Sequence, residues 1–280
     1  MSAHLKISCP SEYDALKRVI VVSPTFMEIR EIINEIQVTY AAENIDKTIA
    51  KTQHDGFIDT LRNEGIDVIQ LEPHEQLNEQ VFTRDIGFVI ADTLFIANMD
   101  KAVRKPETAL FKEWLTEEGI TYVELDAYPI EGGDVIVDGK TIWIGISDRT
   151  GQEAIHELQE KLPDYEVHAI PIRDDILHLD CTFNLVDSST ALVYPDGIEK
   201  KALQQLKERY QFIEITDEEQ FQLGTNVLSI GNKKIVSLPE NSRINQALEK
   251  AGFSILEVAF SEIIKSGGSF RCCTLPLVRG

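Results

Sequence analysis

The stretch Glu131-Gly132-Gly133-Asp134-Val135-Ile136-Val137-Asp138-Gly139-Lys140-Thr141-Ile142-Trp143-Ile144 carries two short runs of β-branched and aromatic residues on either side of Asp138-Gly139. An Asp-Gly pair between apolar runs is a strong signal for a two-residue hairpin turn. Residues 135–137 and 141–144 are therefore read as paired strands. A β-rich run at 121–125 precedes them, and a stretch with helical spacing at 151–161 and a further strand at 166–170 follow. The unit is a hairpin, a helix and a returning strand.

Working outward, the same order recurs. Upstream lies a hairpin of 86–90 and 93–97 turned at Ala91-Asp92, then a helix over 107–118 that Gly119 ends as a C-terminal cap. Downstream, strands 182–186 and 191–194 lead to helix 197–210 and strand 212–215. Strands 226–229 and 234–237 lead to helix 242–251 and strand 254–258. A fifth unit has only one hairpin strand, 270–277. The N-terminal strand 18–23, followed by a helical stretch from about 28 to 64 and a strand at 66–71, lacks a hairpin mate. Pairing the two termini closes a ring. The expected architecture is one α/β domain over 1–280, a five-bladed pseudo-symmetric α/β propeller closed by the N-terminal strand.

Composition agrees with such a core and narrows the function. At 280 residues and 43% apolar, the chain can bury roughly three quarters of its unfolded surface. No apolar run approaches the roughly 18 residues that span a bilayer, and the first ten residues lack the basic start and apolar core of a secretory signal. A soluble, cytoplasmic protein is expected, with no membrane partner. The four cysteines are Cys9, Cys181, Cys272 and Cys273, two of them adjacent, which favours reduced thiols over a disulfide framework. With 47 acidic and 27 basic residues the formal charge is −20. Phosphate backbones are repelled by such a surface, so no nucleic-acid partner is expected.

Aligned by their hairpins, the five units each open on a polar residue at nearly the same point. These are Asp85, the Glu131–Asp134 cluster, His178 with Asp180, Asn226, and Cys272. Equivalent ends of inner propeller strands converge on the axis, so five distant residues meet in one funnel. Arg104 and Arg149 fall just past the second hairpin strand of successive units, where two guanidinium groups suit a carboxylate-bearing ligand. On a strand, His178 and Asp180 share a face, whereas Cys272 and Cys273 point oppositely, so only Cys272 looks into the funnel. Cys181 has no such partners and reads as structural. Glu131, before two glycines, is placed to orient an imidazole and raise its basicity. Gly267-Gly268-Ser269 lets backbone pass close to a ligand beside Cys272. Cys272, His178 and an acid could in principle ligate zinc, but no CxxC or HxxxH spacing supports a zinc cage, and no metal or cofactor is expected.

Taken in order, Phe82-Thr83-Arg84-Asp85, Glu131-Gly132-Gly133-Asp134, Gly145-Ile146-Ser147-Asp148-Arg149-Thr150, His178-Leu179-Asp180 and Gly267-Gly268 to Cys272 make the chain resemble the guanidino-group-modifying superfamily. That group contains dimethylargininases, arginine deiminases and amidinotransferases, and its fold is the five-bladed propeller called the pentein. The resemblance implies that Cys272 is the nucleophile, His178 the general acid and base, and Glu131 its carboxylate neighbour. It implies further that Asp85 and Asp180 clamp the guanidinium, that Arg149 and Arg104 hold a substrate carboxylate, and that Glu79 adds an acid near the substrate. The implied reaction cleaves a guanidino C–N bond of arginine or methylarginine, giving citrulline plus an amine or ammonia. Length resembles the dimethylargininase branch. Arg84 stands where dimethylargininases more often carry an acid, and Asp180 is a clamp typical of the deiminases and amidinotransferases. An amidinotransferase, a dihydrolase releasing ornithine, and a non-catalytic guanidino-compound binder remain as alternatives, and homo-oligomer formation stays open.

Overall fold

The computed structural model describes residues 6–280. Strand β1 (Leu16–Val22) is followed by helices α1 (Glu35–Tyr40) and α2 (Lys47–Asn63) and strand β2 (Asp67–Leu71). Next come β3 (Gly87–Ile90), β4 (Thr93–Ile96), α3 (Lys105–Glu117) and β5 (Val123–Glu124), then β6 (Val135–Asp138), β7 (Thr141–Ile146), α4 (Gln152–Lys161) and β8 (Glu166–Pro171). The fourth group is β9 (Phe183–Leu185), β10 (Thr190–Val193), α5 (Lys200–Lys207) and β11 (Gln211–Glu214), trailed by the short α6 (Asp217–Phe221). Strands β12 (Leu228–Gly231) and β13 (Lys234–Ser237), helix α7 (Ser242–Lys250), and strands β14 (Ser254–Glu257) and β15 (Leu275–Arg279) complete the chain.

These strands form five three-stranded sheets, in the orders β3-β4-β5, β6-β7-β8, β9-β10-β11, β12-β13-β14 and β15-β1-β2. In each, the middle strand pairs antiparallel with one neighbour and parallel with the other. The parallel pair requires a crossover, which a helix supplies in every sheet. The fifth sheet is closed by the termini: β1 and β15 pair antiparallel, with Val19 opposite Pro276 and Ile20 opposite Leu275. The fold is the five-sheet α/β propeller.

In the hairpin at the centre of the sequence, Val135 faces Ile144, Ile136 faces Trp143 and Asp138 faces Thr141. Its turn residues are thus Gly139-Lys140, one place later than the Asp-Gly reading. Gly139, at φ +60°, occupies the first turn position, where a type II′ turn places glycine.

Two expectations need correction. The helix expected over 28–64 is broken into α1 and α2, because Asn34 caps α1, Asn44 adopts φ +61°, and the Asp46 side chain accepts from the amides of Thr48 and Ile49 to start α2 anew. Polar residues with local capping bonds outcompete helical continuation there. The strand expected over 270–277 begins only at Leu275, and residues 270–273 form a turn. Phe270 anchors that turn: its ring stacks on Phe260 at 4.6 Å between centroids and contacts Phe57 at 5.2 Å. Burying a ring of this size contributes about 2–3 kcal/mol. Helix α6, capped by Thr216 and Glu219, is an element with no counterpart in the sequence reading.

Candidate active site

The polar residues that open the five units stand ahead of β3, β6, β9, β12 and β15, and the structure draws those entries together. Asp85 precedes β3, Glu131 to Asp134 precede β6, His178 and Asp180 precede β9, Asn226 precedes β12, and Cys272 precedes β15. His178 Nε2 lies 2.8 Å from Glu131 Oε2, and its Nδ1 lies 3.6 Å from Asp85 Oδ1. Cys272 Sγ is 3.1 Å from Asn226 Nδ2 and 3.7 Å from Asp180 Oδ2. Cys272, His178, Asp85, Glu79, Arg104 and Arg149 line one buried cavity of about 10 Å³, with Ile33, Asn34 and Gly267 among its other walls. That volume holds about one water, so a larger ligand displaces part of the wall.

Glycines make the convergence sterically feasible. A Cβ on Gly133 would stand 2.6 Å from His178 Nδ1, and one on Gly268 would stand 2.9 Å from the Cys272 Cβ and 2.4 Å from the Phe82 ring. The Gly-Gly pair after Glu131 forms a one-turn 3-10 helix, Gly132–Asp134. Asp134 then accepts from the Leu179 amide at 2.9 Å and from Ser147 Oγ at 2.7 Å, fixing the segment that carries His178.

The geometry differs from strand alternation in two places. His178 is extended, but Asp180 sits in a 3-10 turn, Leu179–Cys181. Its carboxylate turns toward Arg271, with Oδ2 at 2.6 Å from Arg271 Nη1, and it is not a wall of the cavity. Cys272 and Cys273 lie on a turn, yet Cys272 lines the cavity while Cys273 is packed wholly inside.

The arginines divide as well. Arg104 is 3% exposed, and its donors reach both Glu107 oxygens, Asp85 Oδ2 at 2.5 Å and the Phe82 carbonyl at 3.0 Å. It stands as a pillar under Asp85, not on an open rim. Arg149 lines both the buried cavity and an outer basin of about 400 Å³, donates to the Ile33 carbonyl, and lies 3.7 Å from Glu131. Arg84 turns away from the cavity toward Glu12 and the Arg271 carbonyl, and burial drops its pKa to about 10. Glu79 receives Gln37, Asn78 and Ser266. Gln37, Glu107 and Arg271 were not among the expected site residues: Gln37 and Arg271 reach Glu79 and Asp180 across distant segments, whereas Glu107 sits three residues from Arg104, a spacing that could have been read from the sequence.

Electrostatics follow from burial against charge. Desolvation pulls the His178 imidazole down, but Asp85, Asp134 and Glu131 outweigh it and raise its pKa to about 9. Desolvation pushes Asp85 up, and His178 with Arg104 more than reverses it, so Asp85 stays ionised. Burial raises Glu79 to about 7. Burial and then Asp180 and Asp85 push the Cys272 thiol well above its ordinary value. Burial thus disfavours the Cys272 thiolate, while the surrounding carboxylates favour the protonated His178 in the same cavity. Asp85 Oδ1 and His178 Nδ1 are buried without hydrogen-bond partners, facing each other as an ion pair at 3.6 Å. Asp85, Glu131 and His178 also place one ligand atom each within 4.8 Å of the others, a set that suits a delocalised organic cation as well as a metal ion. No helix among the described residues is long and apolar enough to cross a membrane.

A propeller of five three-stranded sheets is the fold of the guanidino-group-modifying class, a family of enzymes acting on guanidino groups. Residues 23–279 match the family model described as N,N dimethylarginine dimethylhydrolase, eukaryotic, and the chain belongs to that family. It is 46% identical over 275 residues to the uncharacterized protein YkgA of Bacillus subtilis, covering 98% of this chain and 96% of that one. It is 26% identical to the N(G),N(G)-dimethylarginine dimethylaminohydrolase of Mycobacterium tuberculosis, over 93% of this chain and 86% of that enzyme. The substrate-bound N-terminal domain of ArgZ, a cyanobacterial arginine dihydrolase, superposes with a TM-score of 0.86 at 23% identity, covering 94% of this chain and 98% of that domain.

Proposed function

We propose that this chain is a cysteine-dependent hydrolase that cleaves a guanidino C–N bond of arginine or a methylated arginine, giving citrulline and ammonia or an amine. The observation that carries the reading is the shared cavity of Cys272, His178 and Asp85, with Glu131 on the far nitrogen of the imidazole. A bound guanidinium meets the unpartnered oxygen of Asp85 through charge-assisted hydrogen bonds. Its positive charge lowers the thiol pKa of Cys272, and the thiol proton is released. The thiolate attacks the guanidinium carbon, and His178, protonated at neutral pH, gives its proton to the departing ammonia or amine. An amidino-thioether that keeps the amino-acid chain remains on Cys272. The neutral imidazole then takes a proton from water as it attacks, and the carbon–sulfur bond breaks to release the ureido product and the thiol.

In this reading Asp180 backs the sulfur rather than lining the pocket, and Arg104 positions Asp85. Arg149 holds the substrate carboxylate, since it reaches from the cavity into the basin. Glu79 adds a carboxyl to the cavity wall that ionises when a cation arrives. Entry requires residues 33–37 to move, because Asn34 Nδ2 bonds the Ser266 carbonyl at 3.0 Å and Gln37 bonds Glu79 at 2.9 Å across the opening.

Incubation with arginine, dimethylarginine and agmatine, followed by mass spectrometry of the products, tests this. Citrulline with ammonia or dimethylamine is expected. Ornithine with ammonia, amidino transfer to an added amine, or no turnover of any of the three would reject it.

A further inference from the structure

The Cys272 turn is built around one side chain that the proposed chemistry does not use. Asn226 is fully buried. Its Oδ1 accepts from the backbone amides of Ser269 at 3.2 Å and Cys272 at 3.1 Å, and its main-chain carbonyl accepts from Arg271 at 3.4 Å. Three amides of the turn 269–272 therefore end on Asn226. Two amide donors on Oδ1 also settle which way the side chain faces, because a flipped amide would set NH2 against N–H. The remaining group, Nδ2, points at Cys272 Sγ from 3.1 Å.

We propose that Asn226 is a catalytic residue of this site, donating a hydrogen bond from Nδ2 to the Cys272 sulfur and thereby favouring its thiolate over its thiol. The proposal rests on the reading of Cys272 as the nucleophile. A thiol sulfur is a weak acceptor and a thiolate a strong one, so a fixed N–H donor stabilises the charged form more. Burial and the acidic groups around the sulfur act the other way, opposed by the charge of Arg271. Burial is the largest, and Asp180, Asp85, Cys181 and Cys273 follow, all disfavouring the thiolate. Two cationic neighbours are turned to other partners, Arg271 to Asp180 and His178 to Glu131. Among the described residues, Asn226 Nδ2 is the nitrogen that donates to Cys272 Sγ.

A merely structural brace predicts the opposite sign. Removing the side chain loosens the turn and admits water, which relieves desolvation and makes the thiolate easier to form. Losing the donor makes it harder. The test is the pH dependence of Cys272 alkylation by iodoacetamide, read by peptide mass spectrometry, in the wild type, Asn226→Ala and Asn226→Ser, with the melting temperature of each recorded. Serine is too short to reach the sulfur and serves if alanine fails to fold. The midpoint is expected to rise by about one pH unit or more, a roughly tenfold slower labelling at fixed pH. A midpoint unchanged or lowered in a folded variant overturns the proposal. If iodoacetamide in the wild type modifies another cysteine in preference to Cys272, the nucleophile assignment itself fails and this proposal falls with it.

Discussion

Asp85 and Asp180 stand at the entries of two propeller units separated by the unit that Glu131 opens, and each has one oxygen pinned by a buried arginine. Asp85 Oδ2 lies 2.5 Å from Arg104, and Asp180 Oδ2 lies 2.6 Å from Arg271. The difference is in what the other face of each carboxylate meets. Asp85 keeps Oδ1 unpartnered, lines the cavity and sits 3.6 Å from His178. Asp180 is enclosed between Arg271, Cys181 and the Cys272 sulfur. Element order therefore predicts where a side chain enters the axis, and the local backbone decides whether it faces the ligand. A pinned carboxylate with a free oxygen is a clamp. One with neither oxygen free acts on its neighbours.

Breaking this contrast gives an ordered set of outcomes. Asp85→Asn removes the charge that faces the guanidinium, so kcat/KM with the identified substrate should fall about 10²–10³-fold, while Arg104 retains Glu107 as a partner. Asp180→Asn should cost about tenfold in activity, together with about 1–3 kcal/mol of stability, because Arg271 keeps only Glu12 at 3.3 Å and the Val135 carbonyl. Equal losses of kcat/KM in the two variants would erase the distinction. Cys273→Ser, beside the nucleophile but packed away from the cavity, should keep turnover within about tenfold and lose about 1 kcal/mol on denaturant unfolding.

The same region sets a pH dependence. The pKa of His178 rises from an ordinary 6.5 to about 9 on folding. A raised folded value means that its contribution to stability is complete below about 6.5 and is lost as pH climbs through about 9. Melting temperature should thus fall between pH 7 and 10 more steeply in the wild type than in His178→Gln. Parallel curves would show that the imidazolium is not held as described.

Much of this was legible in the sequence because the relevant signals repeat. Hairpin, helix and returning strand recur with their turn residues, so the five sheets, the closure by the termini and the positions of Asp85, Glu131, His178, Asn226 and Cys272 at sheet entries could be read from order alone. What escaped depends on contacts between distant segments. Nothing local says that Arg104 points inward to Asp85, although its i,i+3 spacing to Glu107 is local, or that Arg271 captures Asp180. The unit closed by the termini departs most, because the expected single helix is split into the short α1 and α2 by caps at Asn34 and Asp46, and that segment supplies Ile33 and Asn34 to the cavity wall. The expected strand 270–277 follows from the repeat, which leaves one hairpin strand for the last unit, whereas residues 270–273 turn before the strand starts at Leu275. The turn geometry at Cys272 comes from amides that end on Asn226, a residue some 46 positions away.

The central claim is that Cys272 carries the substrate's carbon. Acid-quenching the wild type during turnover of arginine or dimethylarginine, then mapping its peptides by mass spectrometry, tests it most directly. The account predicts an amidino adduct that retains the amino-acid chain on the peptide bearing Cys272, absent in an inactive Cys272→Ser variant. Turnover that persists in Cys272→Ser, or an adduct localised to Cys273, would contradict it.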